Sequence, residues 1–244
     1  MNSYKRYCDY IKSIIGKLGS HDFKRHPDFQ YMLEHLEVAK AMKYESLILN
    51  EFGDFVISNK KFISELISKN DSIGNPIKGN FPFFGECSPS NIRYLFHALL
   101  SANHMKKYDV KNIVEIGGGY GGLCFYLFNI CRLFDIPIES YTMIDLEDPV
   151  RLQEKYLNKI GDFNDKVVFL NNNNYDSHLN ENYFLVSTYS IGEIEQGERN
   201  KYKKNLLPKC SHGFVVWNVL QEPDLDKVLK IVPARPTSFK FLYF

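Results

Sequence analysis

The stretch NIVEIGGGYGGLC, Asn112–Cys124, packs five of the chain's fifteen glycines into six positions. An apolar run stops at the glycines, and an apolar helical pattern starts directly after them. A strand, a glycine turn and a helix in that order bring backbone close to a ligand, and they belong to α/β domains with parallel strands. The second half of the chain keeps the same rhythm. ESYTMIDL (139–146), KVVFLN (166–171), YFLVSTYS (183–190) and GFVVWNVL (213–220) read as strands, and SFKFLYF (238–244) as a closing strand. PVRLQEKYLNKIG (149–161) and EQGERNKYKKNLLPK (195–209) read as helices between them, and DLDKVLKIV (224–232) as another. The spacing predicts an α/β, Rossmann-like, doubly wound, mostly parallel sheet of about six strands over residues 111–244.

Residues 1–110 read instead as an N-terminal helical cap on the substrate side. Tyr10, Ile11, Ile14, Ile15 and Leu18 recur at helical spacing, and Gly19-Ser20 ends that helix. A second helix follows RHPD, with Pro27 in its first turn and Phe29, Met32, Leu33, Leu36, Ala39, Met42, Leu47 and Ile48 as its apolar positions. A third is short, near Lys61–Ser68. Residues 70–91, rich in Gly, Pro and Asn, predict a long loop. Ser88-Pro89 then opens a helix, with Ser88 as N-cap and Pro89 first inside.

Which ligand the turn holds is a matter of chemistry. A phosphate-binding loop needs Lys and Ser or Thr after its last glycine, and Leu123 and Cys124 stand there. A dinucleotide is matched by Gly117, Gly119 and Gly122, with Asp145 ending the next strand where a ribose partner belongs. S-adenosyl-L-methionine is matched by Glu115, Gly117, Gly119 and Gly121, an acidic residue two before the first glycine of a G-x-G-x-G turn. Charge weighs between the two. A pyrophosphate wants helix N-terminal amides and no carboxylate. A sulfonium with an ammonium is drawn to the carboxylate of Glu115. The helices placed ahead of the first sheet strand lean the same way, since a cap of that kind closes over a donor and an acceptor.

Four stretches carry a family resemblance: FKRHPDFQYMLEHL (23–36), SPSNIRYL (88–95), IVEIGGGYGGLC (113–124) and STYSIGEIEQGERNKY (187–202). Together they resemble the sugar O-methyltransferases, a branch of the class I S-adenosylmethionine-dependent enzymes. The resemblance implies Rossmann-like methyl transfer to a hydroxyl of a sugar, a nucleotide-sugar or a glycan. The chain departs from the family after its fifth strand, where a shortened terminal β-hairpin is expected.

Methyl transfer to a hydroxyl needs alignment, exclusion of water and a base within reach. Ligands of such sheets lie beyond the C-terminal ends of the strands. Glu193 follows the fourth strand, matches the family's Glu and is the expected catalytic base, with Glu195 as its nearest rival. Asp145 is expected on the donor's ribose, Leu146 on its adenine, Asn173 (or Asn172) at the adenine edge, and Tyr120 against donor or acceptor. Arg93 is placed to bind a carboxylate or phosphate bidentately. Tyr94, His97 and Ser190 complete the expected acceptor side. His26 reads as a capping residue, and His212 lies at the wrong end of its strand. No cluster of metal ligands stands out, so metal-independent chemistry is expected.

A net charge of +1 argues against a nucleic-acid partner. No apolar run approaches the ~18–20 residues a membrane span needs, and the N-terminus lacks a signal-peptide pattern. Five scattered cysteines without a C-x-x-C pair fit reduced thiols in a cytoplasmic protein. The aromatics and the helical N-terminus would allow a homodimer, and nothing in the sequence requires one. Three other readings stay open here: an NAD(P)-dependent oxidoreductase, a methyltransferase with a macromolecular acceptor, and a binding module without chemistry.

Overall fold

The computed structural model of the chain describes residues 3–163, 165–175, 179, 181–219, 221–225 and 228–244. Helix α1, Ser3–Ile14, buries Tyr7, Ile11 and Ile14, the i, i+4, i+7 stripe of an amphipathic helix. It passes into a 3-10 turn over Ile15–Ser20. The single helix expected after RHPD is broken. Helix α2 is only Pro27–Phe29, capped by the His26 ring accepting from the Asp28 amide at 3.3 Å. A π turn follows over Gln30–Glu34, and α3 begins afresh at Val38 and runs to Ser58. Glu37 is extended (φ −71°, ψ 146°), so no helical hydrogen bonding can pass through it. The break turns Leu33, His35 and Leu36 toward the site described below.

Helix α4 is Lys60–Asp71. The expected long loop contains a small antiparallel hairpin, β1 (Gly79–Phe81) with β2 (Gly85–Cys87), pinned where Glu45 accepts from the Phe83 and Phe84 amides at 2.8 and 3.1 Å. Helix α5, Pro89–Tyr108, starts as expected, but the Ser88 side chain makes no cap bond. Instead the Ser88 amide donates to Asp71 Oδ2 at 2.8 Å. Fourteen of the twenty α5 residues are buried, so this helix is the internal post between cap and sheet.

The sheet elements follow: β3 (Asn112–Ile116), α6 (Gly122–Leu133), β4 (Ser140–Asp145), α7 (Glu147–Ile160), β5 (Val167–Asn171), β6 (Tyr183–Thr188), α8 (Gln196–Asn205) and β7 (Cys210–Trp217). The last two strands are β8 (Lys230–Ala234) and β9 (Phe239–Tyr243). Their order is β5-β4-β3-β6-β7-β9-β8. The first five are parallel, and β9 runs antiparallel to both β7 and β8. This is the Rossmann-like, doubly wound α/β fold, with helices ahead of it. The winding reverses between β3 and β6, which puts the ligand crevice beyond their C-terminal ends.

One expectation fails at the C-terminal side. Residues 230–232, expected to be helical, belong to β8, because Ile231 and Val232 pair with Leu242 and Phe241. The terminal hairpin consists of two five-residue strands. Of the stretches read as elements, Leu220, Asp226 and Lys227 lie outside the described residues.

Alternation in the strands builds two apolar layers. Ile113, Phe184, Val186, Phe214 and Val216 join a cluster that also holds Tyr7, Phe29 and Tyr44 of the cap. Val114, Ile116, Leu185, Val215 and Trp217 form the other layer, with Tyr202 of α8. Glu115, one residue after Val114, therefore points into the cap-side layer.

Candidate active site at the glycine turn

Gly117, Gly119 and Gly121 have φ of +73°, +59° and +95°, the left-handed region that favours glycine. Space is equally restrictive. A β-carbon on Gly117 would stand 1.9 Å from Ser190 Oγ, and one on Gly118 2.2 Å from Met143 Cε. The turn is tied to β4 by the Gly117 amide, which donates to Ile144 O at 2.9 Å. Ser187 Oγ ties β6 to β3 by donating to Ile116 O at 3.0 Å. Beyond these strand ends opens a cavity of about 440 Å³.

Its floor is acidic. Glu115 is 1% exposed and accepts from the Tyr141 hydroxyl at 2.7 Å. Burial pushes its pKa up to about 8, the Tyr141 bond opposes this, and the charge of Asp145 adds to it. Asp145 is raised by burial to about 6, against the donors that hold it. Those donors are the Leu146 amide and Gln153 Nε2, both at 2.8 Å, with the amides of Gly118 and Gly119. Gln153 Nε2 also donates to Gly119 O at 3.1 Å, locking turn and acid together. A cation beside this pair would draw both carboxyls toward their ionised forms.

The opposite wall comes from the cap and from the segment after β6. Arg93, nearly buried on α5, donates from Nη2 to Leu33 O at 2.9 Å and lies 5.1 Å from the Tyr189 ring centroid. Its Nε has no hydrogen-bond partner among the described residues. Tyr189 has φ +67°, and among the described residues the other non-glycine positions with positive φ are all Asn or Asp. A bulky residue held in that region marks stored strain, which concentrates at functional sites. Its hydroxyl is 3.0 Å from that of Tyr44. Glu193 accepts from the Tyr4 hydroxyl at 2.7 Å on Oε2 and from Asn218 Nδ2 on Oε1. His35 and Lys40 also line the cavity. Burial, then the charge of Arg93, lowers the His35 pKa, so its ring is neutral at pH 7.

Nine of the thirteen residues expected at the site meet in this cavity: Glu115, Gly117, Gly119, Asp145, Leu146, Arg93, Tyr94, Ser190 and Glu193. Four do not. Tyr120 is fully buried in the core, its ring 4.9 Å from Tyr156 and 4.4 Å from Lys24 Nζ, because the turn at Gly119 swings it away from the ligand side. Gly121 is the N-cap of α6 and packs on Leu157, serving the helix start alone. His97 has no exposure and is packed among Tyr44, Tyr189, Phe214 and Phe241. Burial, then Arg93, drives its pKa down to about 3. Asn173 is exposed beyond β5, with its amide donating to Asn171 Oδ1 at 2.9 Å. Asn172 and Glu195 lie outside the cavity too, Glu195 as N-cap of α8. Among the described residues no group of three or more His, Cys, Asp or Glu is placed to hold a metal ion.

Sequence reasoning missed Tyr4, Tyr7, His35, Tyr44, Gln153, Tyr189 and Asn218. Two left a readable signal. Gln153 is a polar residue on the apolar face of α7, beside Leu152, Tyr156 and Leu157. Asn218 directly follows β7, where a ligand residue belongs. The others reach the cavity by way of the break after Glu34, the path of α1 and the strained turn after β6, which periodicity does not report.

No protein-family model matches the sequence. No curated protein matches it. Among solved structures, the chain is similar to the methyltransferase domain of bacterial CtHen1, with 12% identity and a TM-score of 0.41 over 49% of this chain and 64% of that one. It is similar to M. capricolum TrmK, solved with S-adenosyl-homocysteine, with 13% identity and a TM-score of 0.40 over 58% of this chain and 66% of that one. It is also similar to the mitomycin 7-O-methyltransferase MmcR, with 10% identity and a TM-score of 0.48 over 100% of this chain and 68% of that one. The chain thus spans just under two thirds of the first two. At such identities none of them states what this chain does.

Proposed function

We propose that the chain is an S-adenosyl-L-methionine-dependent O-methyltransferase whose acceptor is a hydroxyl of a sugar, free or nucleotide-linked. The observation that carries this reading is the pair of carboxyls, Glu115 and Asp145, in the floor of a cavity built on a glycine turn. At pH 7 Asp145 is ionised and a bound cation would draw Glu115 toward its ionised form, so that floor disfavours a pyrophosphate and favours a sulfonium and an ammonium, which weighs against the nicotinamide alternative. When bound, S-adenosylmethionine supplies its methyl group to an attacking oxygen and leaves as the neutral thioether.

The residues divide that work. Gly117–Gly119 let the ligand approach backbone, Asp145 is placed for ribose hydroxyls, and Leu146 offers an apolar face to adenine. Arg93 lines the cavity with its Nε buried and unpartnered among the described residues, and its guanidinium is the group for an oxyanion of either ligand. On the acceptor side Tyr44, Tyr189 and Phe239 give flat apolar faces, while Thr188, Ser190 and Asn218 give hydrogen-bonding groups. That mixture suits a polyol ring better than an extended polymer. Glu193 takes the hydroxyl proton, once the Tyr4 hydroxyl yields its oxygen to the acceptor. His35, a neutral imidazole on the same cavity, supports a second assignment of the base.

Release of S-adenosylhomocysteine from S-adenosylmethionine, measured across free and nucleotide-linked sugars, tests the reading. Turnover with a member of that panel is expected. Glu193→Gln should lower kcat by ~10²–10⁴-fold while leaving donor affinity within about threefold. Full turnover in Glu193→Gln with collapse in His35→Gln moves the base to His35, and inertness of every sugar removes the acceptor class.

A further inference from the structure

The N-terminal helix brings a second tyrosine to the cavity besides Tyr4. Tyr7 is 4% exposed, and its ring packs 5.8 Å from that of Phe29. It lines the cavity, yet its hydroxyl has no hydrogen-bond partner among the described residues. A buried hydroxyl left unpaired carries its full desolvation cost, so a partner that arrives with a ligand is the economical explanation. Tyr10, one turn further along, also has an unpaired hydroxyl, but it stacks on His26 at 3.6 Å outside the cavity. The two tyrosines therefore differ in what they face, not in how they are satisfied.

The neighbourhood says what the partner is. Tyr7 and Asp145 line the same cavity, the charge of Asp145 is the largest one acting on the Tyr7 hydroxyl, and Asp145 ends β4 in the position of a ribose partner. Two oxygens lining one cavity, a carboxylate that only accepts and a phenol that donates or accepts, match the two hydroxyls of a vicinal diol. We propose that Tyr7 is a ligand-binding residue of the donor site, hydrogen-bonded to the nucleoside ribose beside Asp145, so that α1 forms part of that site. This rests on the donor reading above.

Tyr7→Phe removes the oxygen and keeps the ring against Phe29. Calorimetric titration of wild type, Tyr7→Phe and Tyr10→Phe with S-adenosylhomocysteine, and with its 2′-deoxy and 3′-deoxy forms, tests the assignment. Tyr7→Phe should weaken S-adenosylhomocysteine by roughly three- to tenfold. With one of the deoxy ligands that difference should vanish, since the partner hydroxyl is gone from both sides of the cycle. Tyr10→Phe should bind like wild type. Unchanged affinity in Tyr7→Phe, an equal loss with all three ligands, or an equal loss in Tyr10→Phe would each overturn the assignment. If wild type itself binds no S-adenosylhomocysteine, the donor reading falls first and the Tyr7 assignment with it.

Discussion

In the proposed reading Glu115 is the residue on which the ligand's identity turns, and burial gives it a behaviour that charge alone does not describe. With its pKa near 8 and that of Asp145 near 6, each carboxyl is ionised above its own value and protonated below it. A cationic ligand binds the ionised forms better. Its affinity should therefore rise as pH goes from about 6 to about 8, and fall again as pH drops through that window. Calorimetric titration with S-adenosylmethionine should show this rise. Glu115→Gln should flatten its upper part, and uncharged 5′-methylthioadenosine should lack that upper part, keeping only the response of Asp145 on its ribose. A flat profile for S-adenosylmethionine would detach Glu115 from the donor. Gly117→Ala is the steric counterpart. It places a β-carbon on Ser190 Oγ at a φ of +73°, costing about 1–2 kcal/mol from backbone alone. Chemical denaturation should show at least that loss, accompanied by lost donor binding. That Gly117, Gly119, Glu115 and Asp145 meet at one cavity was legible at this scale, because strand ends and turn spacing fix where they lie. Tyr120 and His97 were not, because helix and turn spacing cannot tell a side chain facing a cavity from one facing the core a few ångströms behind it.

At the scale of elements, strands flanked by glycine or by polar turns could be read directly, since β3, β4, β6 and β7 are buried runs with no competing period. The edge strand β8 could not. Its residues Lys230–Ala234 alternate little, and its register comes from β9, a partner that local sequence does not announce. The break after the π turn was hidden for a related reason: Leu33, Leu36 and Ala39 keep helical spacing across it. The break borders the cavity through Leu33, His35 and Leu36, and β8 reaches it only through the turn that follows, Pro236–Ser238; both lie where the fold departs from local preference. Helix α1 makes an element-level prediction. Ile11 is fully buried on it, so Ile11→Ala should cost about 2–5 kcal/mol. Hydrogen exchange should quicken over residues 3–14 well before it does in β3 and β6, and donor affinity should fall with it. Uniform quickening across the chain would show that α1 is not a separable part of the site.

For the molecule as a whole, the strand order places the crevice, and the cap fills its far wall. One apolar layer runs from Tyr7 through α5 to Phe241, so cap and sheet hold the cavity's two walls in fixed relation. Acidic groups line the sheet side, while Arg93, Lys40 and neutral His35 line the cap side. The polarity of that division is the central claim, and it concerns which cofactor the native state recognises. Thermal unfolding of the wild-type chain, scanned with S-adenosylmethionine, S-adenosylhomocysteine, NAD or NADP, tests it most directly. A ligand that binds only the folded state raises Tm, by an amount that grows with its concentration over Kd. The two adenosyl ligands should raise Tm and the two nicotinamides should leave it unchanged; a rise with NAD or NADP alone would contradict the account.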